Sequence, residues 1–297
     1  MSENPNPEQE TKEKRKRNGR TVEWQFDFAE VGESFKNMLG SLAGDQEVQH
    51  DTFVEAIDGA AHAEVEIGFS IGKGFIRALA PTSGNLLDAD VYYIGEMEFT
   101  VEGDASKYVR LAQQTSKSPL TPIRQGFRAM ADSKKLTWQV GLTPNIPLDL
   151  SIDGGIGPVE ADLSGLTLND LDVDSGVGTM NVTLPIQTAA LHAEIDSGVG
   201  QLTVNVPEGA HGELDIKGGV GEVVIYVSRN TALMLTAKSG LGSIDVASGI
   251  HRITGGREFI EDSGEWRTEG YELAGNRLRI KYDGGVGSFQ IAYHESA

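Results

Sequence analysis

Asp172-Val-Asp-Ser-Gly-Val-Gly-Thr-Met-Asn-Val-Thr-Leu-Pro185 carries the pattern on which the fold turns. Its centre, Gly176-Val177-Gly178, belongs to a series of Gly-apolar-Gly triplets. The others are Gly155-Ile156-Gly157, Gly198-Val199-Gly200, Gly219-Val220-Gly221, Gly240-Leu241-Gly242 and Gly285-Val286-Gly287. Successive first glycines lie 21, 22, 21, 21 and 45 residues apart. A fixed period in the twenties signals a stacked repeat. The last interval is about two periods, with Gly264 marking a degenerate copy between.

The flanks of each triplet alternate. Four and six residues after the first glycine stand Met180 and Val182, Leu202 and Val204, Val223 and Ile225, Ile244 and Val246. Three and five residues before it stand Val173 and Leu171, Ile195 and Ala193, Ile216 and Leu214. Period two with one apolar face is strand behaviour. Nine residues after it come Ser164, Pro185, Pro207, Ser228 and Gly249, all turn formers. Each period therefore reads as strand, Gly-x-Gly corner, strand, second turn and return strand, with coils about 4.8 Å apart. The glycines supply positive φ or close backbone approach, and the apolar residue between them is expected to point into the core.

The expected fold is all-β: a single-stranded, right-handed parallel β-solenoid with a short N-terminal helix. Residues 50–297 form the solenoid. The first half reads as divergent coils, with strands around Ala63–Ile71, Val91–Val101, Val109–Leu111 and Leu136–Leu142. Residues 113–135 form an excursion with a short helix from Arg124 to Met130.

Composition bounds the chemistry. The 297 residues include no cysteine and 37 glycines, and the net charge is −19. Thiolate catalysis and cysteine-ligated zinc are excluded. The acidic balance argues against nucleic acid as a partner. No apolar stretch reaches the ~18–20 residues of a membrane span, and no secretory h-region follows the first charges. The expected location is cytoplasmic, or peripheral to the membrane.

Charge is uneven along the chain. Residues 1–20 hold six basic residues against four acidic ones, so a +2 tail precedes a −21 body. Pro5, Pro7 and the scarcity of apolar residues predict a disordered tail. Lys14, Arg15, Lys16 and Arg17 are candidates for contact with anionic lipid or a partner. Residues 21–44 then present Trp24, Phe28, Val31, Phe35, Met38, Leu39 and Leu42 at helical spacing. This amphipathic helix either caps the solenoid or tethers it to a bilayer, and Trp24, Phe28 and Phe35 are its candidate contact residues.

Leu148–Gly157 and Asp172–Pro185 resemble the bacterial toast-rack family, which is related to adhesin-type β-solenoids. It includes the soluble C-terminal module of membrane proteins that respond to cell-wall-active antibiotics. Ala63–Ile76, Tyr92–Gly103 and Lys107–Gln113 look like that family's N-terminal portion, so the likeness spans about residues 55–293. It implies a bacterial envelope-stress setting and offers no catalytic residues.

Catalytic motifs are absent from the sequence. His50, His62, His192, His211, His251 and His294 have no metal-ligand spacing. There is no Gly-x-Ser-x-Gly elbow, and Gly68–Gly74 is one residue short of a phosphate-binding loop. One column holds a candidate cation site. Two residues before the first glycine stand Asp153, Asp174 and Asp196, followed by Lys217 and Lys238. Stacked, the three carboxylates form a repelling ladder that a divalent cation would relieve. The other reading makes each Asp the cap of its own corner. No mixed carboxylate–lysine cluster emerges from the columns.

These residues point to a non-enzymatic interaction or sensing module with a protein partner and no cofactor. The alternatives are a surface adhesin or ligand-binding solenoid, and then a glycan-active β-helix. Unpaired strands at a solenoid end would allow a homodimer, most simply through the C-terminal strand around Val286–Ile291.

Overall fold

The computed structural model describes residues 48–114, 136–187, 189–258 and 261–294. Alternating apolar residues lay the chain into two sheets whose facing sides form one core. The strands are β1 (Gln49–Ala56), β2 (His62–Gly68), β3 (Lys73–Ala78), β4 (Asn85–Tyr93), β5 (Glu96–Glu102), β6 (Ser106–Gln114) and β7 (Thr137–Leu142). Then follow β8 (Leu148–Asp153), β9 (Val159–Asp162), β10 (Leu168–Asp174), β11 (Val177–Thr183), β12 (Leu191–Asp196), β13 (Val199–Asn205), β14 (Gly212–Lys217) and β15 (Val220–Val227). The last are β16 (Leu233–Lys238), β17 (Leu241–Val246), β18 (Ile250–Glu258), β19 (Glu261–Thr268), β20 (Leu278–Asp283) and β21 (Val286–Tyr293). Sheet I has the order β1-β4-β7-β3-β9-β11-β13-β15-β21-β17, and sheet II β18-β19-β16-β20-β14-β12-β10-β8-β2-β6-β5.

A coil is one sheet II strand, a corner and one sheet I strand. The triplets match in register from coil to coil: Val177 pairs with Val199, Val199 with Val220, and Val220 with Val286. The corners behave as the glycine pattern requires. Gly178 and Gly200 have φ of 144° and 135°, and a Cβ on either would meet the carbonyl oxygen of the glycine one coil away. Inside, Leu150, Ile152, Leu171, Val173, Ala193 and Ile195 face Val159, Ala161, Met180, Val182, Leu202 and Val204, all buried. Each large member contributes about 1.5–3 kcal/mol on burial. Two aromatic pairs add to the core: Phe69 against Trp138 at 5.0 Å and Tyr282 against Phe289 at 4.2 Å.

Five expectations need correction. Parallel stacking is confined to the coils, and antiparallel strands β1, β4 and β5 flank one end while β18 and β19 flank the other, so both sheets are mixed. Each coil holds two strands, because about 21 residues are consumed by two strands and two turns. Gly264 does not mark a degenerate coil. It lies in β19, antiparallel to β16 and β18. The C-terminal coil β20–β21 is not at the end of the stack; it is inserted between β14–β15 and β16–β17. Val286–Ile291 is thus an interior strand and offers no free edge. Finally, the apolar residue of five triplets points outward: Val177, Val199, Val220, Val286 and Leu241 are exposed, while Ile156 packs against the small cluster of Ile71, Ile94 and Leu136. Each of these five begins a sheet I strand, and period two from the core-facing residues three and five positions on sets its side chain on the outer face.

The N-terminal tail, the 21–44 helix and the 124–130 helix lie outside the described residues. Among the described residues there is no α-helix, only a 3-10 turn at Tyr271–Leu273.

Candidate interaction face

The outward positions of sheet II build three charged columns. Across β2, β8, β10, β12, β14 and β20, one column runs Glu64, Asp149, Asp170, His192, Glu213, Arg279. The next runs Glu66, Ser151, Asp172, Glu194, Asp215, Lys281, and the third Gly68, Asp153, Asp174, Asp196, Lys217, Asp283, with Lys238 on β16 beyond. Period two forces the arrangement: the inward residues between them are the core, so the charges share the opposite side. Sheet I presents mostly neutral polar residues over its central coils, such as Thr179, Asn181, Gln201 and Thr203, with carboxylates scattered among them at Glu160, Glu222 and Asp245. The two outer surfaces therefore differ in charge density.

The charge on sheet II is graded. Around β8, β10 and β12 carboxylates predominate. Histidines touch two of them, His62 to Asp149 at 3.1 Å and His192 to Asp170 at 3.0 Å. The Asp170 contact raises the His192 pKa above the usual imidazole value. Asp172 and Asp153 have no cation within ion-pair distance among the described residues. Partial desolvation first, then Glu194 and Asp196, raise the Asp172 pKa. Desolvation first, then Asp174, raises that of Asp153, against the opposing hydrogen bond from Gly155. Burial leads in both, and neighbouring like charges add to it.

Toward β20 the cations enter. Lys281 bridges Glu213 and, at 3.2 Å, Asp215. Lys217 bridges Glu194 and lies 3.9 Å from Asp196. A groove of about 690 Å³ runs here, lined by Glu194, Asp215, Lys217, Lys238, Lys281 and Asp283 and walled by Glu265 of β19. A second, of about 590 Å³, holds His192, Glu213, Met234, Tyr271, Arg277 and Arg279. The sequence columns were expected to contain no mixed carboxylate–lysine cluster, and this groove corrects that. Insertion of β20 brings Lys281 and Asp283 beside residues 66 positions earlier. Its chemistry is that of ion pairs. Glu194 and Glu213 are held below the usual carboxylate range by Lys217 and Lys281, and both lysines are raised in turn. None of these four is tuned toward neutrality as an acid or base catalyst.

Asp153, Asp174 and Asp196 stack in register as expected. Asp153 accepts from the Gly155 amide at 3.0 Å and Asp174 from the Gly176 amide at 2.8 Å, each capping its own corner. Among the described residues no group of three His, Asp or Glu converges as a metal-binding set. Lys14, Arg15, Lys16, Arg17, Trp24, Phe28 and Phe35 lie outside the described residues. The columns four and six residues before each first glycine were missed, although the same alignment of periods displays them.

Comparison with known proteins agrees with this architecture. No curated protein matches the chain. The crystal structure of a candidate cell adhesion protein from Clostridium sporogenes is similar in fold, with a TM-score of 0.55 at 18% identity. The match covers 84% of this chain and all of that one. The family described as "N-terminal domain of toast_rack, DUF2154" matches residues 43–205, which hold β1 through β13 and three of the glycine corners. With more than half of its length matched, the chain belongs to the toast-rack family.

Proposed function

We propose that the protein is a non-enzymatic interaction module that engages a basic protein partner through the acidic half of sheet II. The observation that carries this reading is the run of outward carboxylates over β2, β8, β10 and β12, including the crowded Asp172. Self-repulsion of this kind is relieved when a cationic surface docks, and such a surface also steers its partner at long range. The ion-paired groove beside it marks where the acidic patch ends.

The setting proposed is the bacterial envelope-stress response, with the protein in the cytoplasm or peripheral to the membrane. The family resemblance supports it. A surface adhesin using the same face is the second reading, supported by the description of the Clostridium sporogenes protein. Protease treatment of intact cells separates the two, since only an adhesin is cleaved.

A lysine decamer serves as the probe for the face itself. Binding weakens by about tenfold, a change of ~1.4 kcal/mol, when Glu64→Gln, Asp170→Asn and Asp172→Asn are combined. Neutralising Glu160, Glu222 and Asp245 on sheet I removes the same formal charge and leaves binding within a factor of about two. Equal losses from both triples, measured by calorimetry at fixed ionic strength, overturn the assignment.

A further inference from the structure

One edge of the coil stack is apolar and, among the described residues, uncovered. Ile156, Val177, Val199, Val220, Val286 and Leu241 stand in continuous parallel register. The last five are between 39% and 50% exposed. At about 4.8 Å per strand, the row is a ridge ~24 Å long and one side chain wide. Single exposed apolar residues need no explanation, but a contiguous row does. Its first end is already covered: Ile156 and Val48 pack against the buried cluster of Ile71, Ile94 and Leu136. Val48 is the first described residue. The chain therefore enters the fold at the end of the ridge, and the sequence just before it is the apolar stripe from Trp24 to Leu42.

We propose that residues 24–42 lie along this ridge as its intramolecular cover, with Leu42 near Ile156 and Trp24 near Leu241. Length supports the match. Nineteen residues at helical rise span ~28 Å, close to the ridge. Residues 43–47 keep Leu42 within about 20 Å of Val48. The point where the chain enters, at Val48 beside Ile156, sets the direction. In this orientation Lys36 falls level with Asp196 and Glu33 with Lys217, while Glu30 falls level with Asp283. A second copy is the weaker occupant. Stable pairs bury roughly 800 Å² per partner, about 20–30 residues a side, far more than this ridge presents. A tethered segment needs no such area, because its effective concentration is in the millimolar range.

The chain contains no cysteine, so paired cysteines report proximity directly. In the full chain, Leu39→Cys with Val177→Cys, and Phe28→Cys with Val286→Cys, give intramolecular cross-links with a short bismaleimide. Phe28→Cys with Val177→Cys joins opposite ends and does not. Circular dichroism verifies that each variant keeps its β-structure. Tryptophan emission gives a second readout: Trp138 and Trp266 are buried in the body, so a red shift on Val199→Asp with Val220→Asp reports release of Trp24. Cross-linking that ignores the pairing, or is absent, overturns the proposal. So does a concentration-dependent dimer band, which would make a second copy the occupant. So does an unshifted Trp24 that turns blue only on phosphatidylglycerol vesicles, which would make the segment a membrane tether.

Discussion

Gly200 shows how much one position in the repeat is constrained. Its φ of 135° lies where L side chains rarely go, and a Cβ would stand 1.9 Å from the Gly178 carbonyl oxygen. The strain costs about 1–2 kcal/mol, and backbone must also move against the neighbouring coil, an overpacking cost of about 1–3 kcal/mol. Gly200→Ala therefore lowers stability by more than about 2 kcal/mol in urea unfolding. Gly275 has open space around it and no left-handed φ, so Gly275→Ala stays within the ~0.5 kcal/mol range of surface changes. Similar losses at both sites would mean that stacking distance is not what the corner glycines serve. Residue type and spacing make this legible in the sequence, because the steric demand recurs at every period. The outward direction of Val199 follows from the same alternation, against the inward expectation: β13 starts at Val199, and period two from the buried Leu202 and Val204 sets Val199 on the outer face with Gln201.

Strand β20 explains why the last coil sits where it does. Its outward residues Arg279, Lys281 and Asp283 lie opposite Glu213, Asp215 and Lys217 of β14, opposite in sign at every position. On its other side Asp283 pairs in register with Lys238 of β16. Stacking in sequence order would set Lys217 directly beside Lys238; insertion puts a carboxylate between them. A one-residue slip would lose both this match and the core face. Lys281→Glu faces Glu213 and Asp215 with a third carboxylate, and the expected loss is about 1 kcal/mol, the upper range for an exposed pair. Adding Asp215→Lys to Lys281→Glu recovers most of it, while Asp215→Lys alone is also destabilising. Thermal melts of the three variants form a double-mutant cycle; additive losses would show that β20 is held by packing alone. The complementarity was present in the sequence but hidden, because column reading assumes that neighbours in sequence are neighbours in space. The 45-residue interval was the one signal that the last coil differed.

At the scale of the whole molecule, local periodicity reached the two strands and corner of each coil and stopped at their order. Alternating residues cannot distinguish parallel from antiparallel partners, so β4, β5, β18 and β19 read as further coils although each pairs antiparallel to a neighbour. The acidic face was legible in part, since one of its three columns was found from the triplet spacing. Order in space has a dynamic consequence. A terminal coil added last to an open stack would fray, because its outer strands lack partners on one side. Here β20 and β21 have partners on both sides, β14 with β16 and β15 with β17. Hydrogen exchange should therefore protect Leu278–Asp283 and Val286–Tyr293 as strongly as β10 through β13, although they lie close to the C-terminus. The edge strands, β1 and β17 on sheet I and β18 and β5 on sheet II, should exchange first. The insertion also joins segments more than 60 residues apart, and long-range closure of this kind is slow to form. In pulse-labelled refolding, β20–β21 and β16–β17 should thus gain protection together and after β8–β13. Rapid exchange of β20–β21 in the native protein, at the rate of the edge strands, would mean that the last coil is not locked between its neighbours.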